Sequence, residues 1–99
     1  MKPLLDGFDK AFENRTRLAI MSVLVVNASV DFNTLKETLQ VTDGNLASHI
    51  TALEKAGYIE VRKGFIGRKT NTTYKATKLG AKAFKDHLDS LESFIKKIE

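Results

Sequence analysis

Apolar residues recur at helical spacing through residues 1–40. Residues 15–26 are apolar at enough positions to form a helix that is buried on most of its sides. A stub of strand at 30–32 and a short helix over 34–40, capped by Asn33 or Thr34, are expected next. One or two amphipathic turns are predicted near the start by four apolar residues, Leu4, Leu5, Phe8 and Phe12.

Residues 42–56 have the narrow apolar stripe of a surface helix. The stripe residues Leu46, Ile50 and Leu53 follow one another at helical spacings, so they lie on one face. Thr42 is placed to cap the N-terminus of this helix. Gly57 is expected to end it in the left-handed conformation.

Two predicted strands follow, separated by a basic segment with two glycines. Residues 58–62 alternate between apolar and polar, and 73–77 predict the returning strand. The connection, 63–72, is expected to form a long charged loop, the wing. Thr77 then caps a final helix that runs to about residue 97. A mainly α chain with a β-hairpin in this order is a winged helix-turn-helix. In this motif the second of the two helices joined by the tight turn, here 42–56, enters the major groove of DNA.

The outer face of helix 42–56 carries small and polar side chains when the apolar stripe faces inward. Asn can bond adenine through two hydrogen bonds, and Ser or Thr can bond base edges or phosphates. His49 lies at the boundary of the stripe, where a half-buried histidine bonded to a neighbour and a DNA contact are both consistent with the pattern. The residues of this helix expected to contact DNA are Thr42, Gly44, Asn45, Ser48, His49, Ala52 and Lys55.

The positive charge of the chain is concentrated in one segment. The formal net charge of the 99 residues is +4, yet residues 61–85 hold eight Lys or Arg and no acid. Such a segment is either a basic surface that is simply solvated or a surface that binds a polyanion. Its position on the wing favours the second interpretation. The wing residues expected on the DNA backbone or in the minor groove are Arg62, Lys63, Arg68, Lys69, Thr70 and Lys75.

The final helix carries apolar residues at heptad spacing. At about 30 Å it is longer than so small a core needs. Its surplus stripe either folds back on the N-terminal apolar residues or pairs with a second copy, and we favour a two-fold dimer because it enlarges a thin core. His87 flanks this seam, and we expect it at the surface. The expected interface comprises Leu4, Leu5, Phe8, Phe84, Leu88, Leu91, Phe94, Ile95 and Ile98.

We therefore expect one domain over 1–99, with a winged-helix core at 10–78 and a C-terminal dimerisation helix at 79–98. The chain has no cysteine and two histidines far apart, which argues against a disulfide, a metal site or a Cys nucleophile. No arrangement of catalytic groups stands out, so we expect neither an enzyme nor a cofactor. Short apolar runs and a charged start without a secretory signal predict a cytoplasmic protein that binds no membrane.

Several segments resemble small prokaryotic winged-helix regulators of the MarR/ArsR type. Residues 42–59 are similar to their recognition helix and next strand, 14–24 to their R-x-x-I-L-x-x-L helix, and 63–69 and 73–80 to their wing and T-x-x-G entry to the last helix. The resemblance implies a homodimeric transcription regulator that binds a pseudo-palindromic operator. Ala47 stands where many relatives carry Ser, and the chain lacks the cysteines and clustered histidines of metal-sensing relatives.

The chain is short at both ends compared with the larger MarR proteins, which leaves the existence of a small-molecule effector open. The rival interpretation is a winged-helix module that docks onto another protein and binds no DNA. Such modules usually lack a basic wing, so the acid-free segment at 61–85 argues against this alternative.

Overall fold

Four α-helices and a small antiparallel sheet make up residues 8–98, the part of the chain that the computed structural model describes, apart from the side chain of Ile98. The sheet has the strand order β1-β3-β2 and the fold is the predicted winged helix-turn-helix. After a 3₁₀ turn at Lys10–Phe12, the elements are α1 (Arg15–Leu24), β1 (Val30–Asp31), α2 (Phe32–Leu39), α3 (Asp43–Lys55), β2 (Ile59–Ile66), β3 (Lys69–Ala76) and α4 (Lys78–Ile98).

One apolar core connects these elements, with α1 at its centre. Ile20 and Met21 of α1 are fully buried, and α1 contacts α2, α3, α4 and β3. The stripe of α3 faces inward as predicted. The other buried apolar residues come from every part of the fold and include Phe12, Leu24, Val30, Leu35, Leu46, Ile50, Leu53, Ile59, Tyr74 and Phe84.

Helix α2 begins earlier than the sequence predicts. Its N-cap is Asp31 rather than Asn33 or Thr34, because the Asp31 carboxylate accepts a 2.7 Å hydrogen bond from the backbone N–H of Thr34. Hydrogen bonding by Thr34 also lowers the pKa of Asp31. The earlier start places Phe32 in the first turn of α2, where its ring lies 6.5 Å from that of Tyr74.

The wing is a tightly closed hairpin. The prediction of a long loop over 63–72 is therefore wrong. The antiparallel ladder of β2 and β3 continues outward to the pair formed by Ile66 and Lys69. Only Gly67 and Arg68 remain in the turn, and Gly67 has a φ of +62°. A left-handed glycine at the first position of a two-residue loop is a turn that matches the twist of paired strands. This turn and the backbone hydrogen bonds between the two strands order the outer wing, which comprises 63–72. Neither the turn nor these hydrogen bonds require a periodic pattern of apolar residues.

The start of α4 is bonded to the turn that follows α3. The Thr77 N–H donates to the carbonyl of Tyr58 at 3.0 Å, and the Thr77 hydroxyl donates to the carbonyl of Gly57 at 2.6 Å. The same hydroxyl oxygen accepts from the N–H of Gly80 at 2.9 Å and so caps α4 as predicted. Gly57 is left-handed, with a φ of +79°. The end of α3, the start of the wing and the start of α4 therefore meet at one place, which we call the junction (Gly57, Tyr58, Thr77 and Gly80).

Replacement of Gly80 by Ala is expected to lower the free energy of unfolding by about 2–3 kcal/mol. A Cβ at this position would lie 2.0 Å from the carbonyl oxygen of Tyr58, so the backbone at the junction would have to move. Gly44→Ala is the matched control, because a Cβ at Gly44 meets no atom within 4 Å and Ala favours the helix by up to about 1 kcal/mol. Urea denaturation of both variants measures the effect. Equal stability of Gly80→Ala and wild type would contradict this close approach.

Candidate nucleic-acid interface

The outer face of α3 presents most of the side chains that the sequence predicts there. Gly44, Asn45, Ser48 and Lys55 are exposed, whereas Ala52 is half-buried. Because none of them is bulky, this face is open to a flat or convex partner. A shallow groove along it is lined by Ala47, Ser48, Thr51, Ala52 and Lys55.

Asn45 lies apart from that groove. It lines a second depression, formed with Arg15 and Thr16 at the start of α1 and with Gln40 in the turn before α3. Asn45 therefore lies near the first turn of α1. A cation, a hydroxyl and an amide that line one depression give this side of α3 both phosphate-binding and base-binding groups.

The turn between α2 and α3 is short and specifically built. Gln40 ends α2 in the left-handed region at a φ of +54°, a conformation that among residues 8–98 no other non-glycine residue adopts. The Thr42 hydroxyl accepts a 3.2 Å hydrogen bond from the N–H of Asn45 and caps α3 as predicted. Lys36 and Asp43 form an ion pair at 2.7 Å across the turn. These contacts fix the direction in which α3 leaves α2.

His49 is half-buried and hydrogen-bonded within the chain. The Arg17 Nε–H of α1 donates to His49 Nδ1 at 3.0 Å. Burial and the positive charge of Arg17 lower the pKa of His49. Of the two interpretations that the sequence left open, the structure shows the histidine bonded to a neighbour, and that bond connects α3 to α1.

The pKa of His49 is expected below its ordinary value of 6.5 in an NMR pH titration. As the pH falls below 6.5, the unfolded chain binds the proton first, so the stability that neutral His49 supports is present above this pH and is lost below it. Arg17→Gln removes the adjacent charge and should raise the pKa of His49 part of the way back, since burial remains. A wild-type value at or above 6.5 would contradict the arrangement.

All six predicted wing residues are exposed. The charged ones among them fall into two groups, those that form an ion pair with an acid and those that do not. Arg62 and Lys75 lie at the base of the wing, each 3.7 Å from the carboxylate of Glu60. Two further cations of the acid-free segment are paired on α4, Lys82 with Asp86 and Lys85 with Asp89. Among the described residues, the cations of this segment with no ion pair are Lys63, Lys78, Arg68 and Lys69. Positive charge without a nearby acid is therefore concentrated on the outer wing.

The outer wing also carries two apolar side chains that the sequence analysis did not single out. Phe65 is 75% exposed and Ile66 is 68% exposed. Both lie in β2 directly before the Gly67 turn. Both fall within 63–72, which the sequence predicts as a charged loop because of its basic residues, and an isolated apolar pair has no periodicity that reveals its role.

His87 is buried, so its predicted surface position is wrong. Its Nδ1 accepts a 3.1 Å hydrogen bond from the backbone N–H of Asp9, and its ring lies 5.4 Å from that of Phe12. The Asp9 carboxylate in turn accepts a hydrogen bond from the Tyr58 hydroxyl. This hydrogen bond, together with burial, raises the pKa of Tyr58 to about 12. Asp9 therefore connects the base of the wing to α4.

The predicted dimer residues divide into two groups. Phe84 is buried in the core of its own chain, with its ring 5.8 Å from that of Phe12, so its assignment to a dimer surface is wrong. Phe94 is half-buried and its ring lies 6.1 Å from that of Phe8, so this part of α4 does fold back on the N-terminal segment. Leu4, Leu5 and the side chain of Ile98 lie outside the described residues. The apolar residues of the seam that stay exposed are Leu88, Leu91 and Ile95.

Within residues 8–98, no helix has the length and apolar character needed to cross a membrane. The same part of the chain contains no group of three or more His, Asp or Glu side chains placed to hold a metal ion.

A helix-turn-helix with a polar outer face, followed by a cationic hairpin, defines a winged-helix DNA-binding domain. Comparison with known proteins agrees with this assignment. A family model described as winged helix DNA-binding domain matches residues 16–95, and the chain belongs to this family. An uncharacterised protein of Methanocaldococcus jannaschii is 37% identical over 90 residues, which are 91% of this chain and 98% of that protein.

Solved structures with this fold include transcription regulators. A transcriptional regulator homologue from Pyrococcus horikoshii is 29% identical with a TM-score of 0.86, over 97% of this chain and 93% of that one. A MarR-family transcriptional regulator from Rhodococcus, 16% identical, matches with a TM-score of 0.69 over 96% of this chain and 69% of its own. The second likeness concerns the fold alone. These matches show that the winged-helix DNA-binding domain of this chain has a fold also found in transcription regulators of the MarR family.

Proposed function

We propose that the chain is a sequence-specific transcription regulator that binds double-stranded DNA as a homodimer. In this arrangement α3 enters the major groove and the wing lies on the flanking backbone and minor groove. A two-fold dimer places its two recognition helices about 34 Å apart, so the operator is a pseudo-palindrome. The observation that carries the proposal is the cluster of wing cations (Lys63, Arg68 and Lys69) that form no ion pair within residues 8–98 and come after the helix with the polar outer face, α3.

The dimer is supported by the exposed part of the α4 seam. Leu88, Leu91 and Ile95 are 43%, 39% and 46% exposed and lie on one face of the helix. A second copy packed against this face would bury the stripe and enlarge the core of a small domain. Phe8 and Phe94, which already pack together, lie beside the stripe and would border the interface.

A docking module without DNA binding is the second candidate, and the cationic wing argues against it. A protein partner would have to supply many acids to match Lys63, Arg68 and Lys69, whereas the phosphates of DNA supply them at every sequence. The family and fold likewise support binding rather than catalysis.

A fluorescence-anisotropy titration tests the proposal. It compares a duplex from upstream of the protein's own gene, and one selected by the protein from a random-sequence pool, with a scrambled duplex at low and physiological salt. Tighter binding to either of the first two duplexes that survives physiological salt is the expected result. No binding to any duplex at low salt would overturn the proposal and favour the docking module.

Arg68→Ala and Asn45→Ala are expected to fail in different ways. Loss of Arg68 should weaken binding to specific and scrambled duplexes alike and lower the slope of log affinity against log salt by about one, because one phosphate contact is lost. Loss of Asn45 should cost about 1–3 kcal/mol on the specific duplex only, without changing the slope. Lys97→Ala removes the same charge as Arg68→Ala from an exposed position at the far end of α4 and serves as the control. An unchanged specific-to-scrambled ratio would rule out Asn45 as a base contact.

Leu91→Asp is expected to give monomers in light scattering and to lose tight DNA binding. A buried, unpaired carboxylate in the seam would cost several kcal/mol for each copy. Ser93→Asp places the same charge on the opposite face of α4, where Ser93 is exposed, and should remain dimeric. A Leu91→Asp protein that stays dimeric would place the interface elsewhere.

A further inference from the structure

The tip of the wing combines exposed apolar side chains with cations that have no ion pair among the residues that the structure describes. Phe65 and Ile66 are more exposed than any other large apolar side chain of residues 8–98 except Val26. Exposed aromatic and aliphatic groups at the end of a hairpin contribute nothing to the core of their own chain. Unlike the isolated Val26, they are adjacent to each other at a projecting tip and lie among cations, and this combination points to contact with another molecule.

The geometry of the tip leaves these side chains uncovered on both faces. Phe65 pairs with Thr70 and Ile66 with Lys69 across the ribbon, and neither partner is apolar. Because successive residues of a strand point to opposite faces, Phe65 and Ile66 place an apolar group on each face of the tip. The two-residue turn keeps the tip only two strands wide, with strands about 4.8 Å apart.

The surrounding charge identifies the kind of occupant. Lys63, Arg68 and Lys69 surround the apolar pair and are free of ion pairs within the described part of the chain. A partner that matches this tip is a groove with anionic groups along its rims and a flat apolar surface at its floor. The minor groove of DNA has this structure, with phosphates along its rims and stacked bases at its floor, and is about 6 Å wide.

We propose that the wing tip enters the minor groove and that Phe65 and Ile66, one on each face of the tip, act as apolar wedges that widen the groove and open the base steps beside them. This inference rests on the proposed function and adds to it a way of reading sequence without hydrogen bonds to bases. Opening a step bends the duplex and is least costly at flexible pyrimidine–purine steps. The protein therefore selects DNA by its deformability where the wing lies, and by base edges where α3 lies.

Salt dependence separates the wedge from phosphate binding. Phe65→Ser and Ile66→Thr should each weaken binding to a 30-bp duplex, selected from a random pool by the wild type, by about 10-fold. The salt slope should stay at the wild-type value, in contrast to Arg68→Ala, because no phosphate contact is lost. Val26→Ser is the matched control, since Val26 is 78% exposed and lies after α1, outside the wing and α3. Because the exchanged residues are exposed, all three variants are expected to melt at the wild-type temperature.

DNA bending gives an independent readout. Energy transfer between dyes on the two ends of the same duplex should rise when the wild type binds and rise less with Phe65→Ser or Ile66→Thr at saturation. 2-Aminopurine placed at the opened step should brighten with the wild type and not with these variants. Equal affinity and equal energy transfer for wild type and variants would overturn the wedge.

Failure of the wedge and failure of the proposed function give different results. If the wild type binds no duplex, the proposed function itself fails. If the wild type binds specifically and the two tip variants match it, the wedge alone fails. Sedimentation with phosphatidylserine vesicles that requires Phe65 and Ile66, with DNA binding unaffected, would assign the tip to a membrane surface and also overturn the wedge.

Discussion

The hydrogen bonds from Thr77 to the turn after α3 fix the relative positions of α3, the wing and α4. Helix α3, the wing and α4 all begin or end within the junction, and Gly80 lets their backbones approach closely. A chain that lost this contact would keep its helices but lose the fixed angle between α3 and the wing hairpin.

The attraction of this protein for a polyanion depends on which Lys and Arg residues have an acidic side chain nearby. The net charge alone does not describe it. The acid-free segment at 61–85 suggests a uniformly basic surface, yet Glu60 lies within 4 Å of both cations at the base of the wing. Ion pairs on α4 neutralise two more. Attraction for a polyanion therefore comes mainly from the outer wing, which limits long-range attraction and directs it to one end of the molecule.

Features that follow from the burial of apolar side chains could be predicted from the sequence. Features that depend on a single hydrogen bond or a single turn residue could not. The stripe at Leu46, Ile50 and Leu53 identified α3 and its outer face, because a helix has to bury its apolar side whatever its neighbours are. The start of α2 depends on a single carboxylate, Asp31, and the closed wing on one glycine turn, and neither has a periodic signal. The burial of His87 depends on Asp9, far away in the sequence, which spacing along α4 does not reveal.

Strands of eight residues make the wing hairpin about 26 Å long, but β1 pairs with β3 at Thr73 and Tyr74, so only the part of the hairpin beyond these residues extends freely from the domain. A bend of about 10° at that point would displace the tip, about 13 Å away, by about 2 Å. The Tyr58 hydroxyl is bonded to Asp9, and the backbone of Asp9 is bonded to His87 on α4. The contacts of Asp9 thus join the base of the wing to α4 through the segment that precedes α1, so a change in that segment acts on the wing at its base.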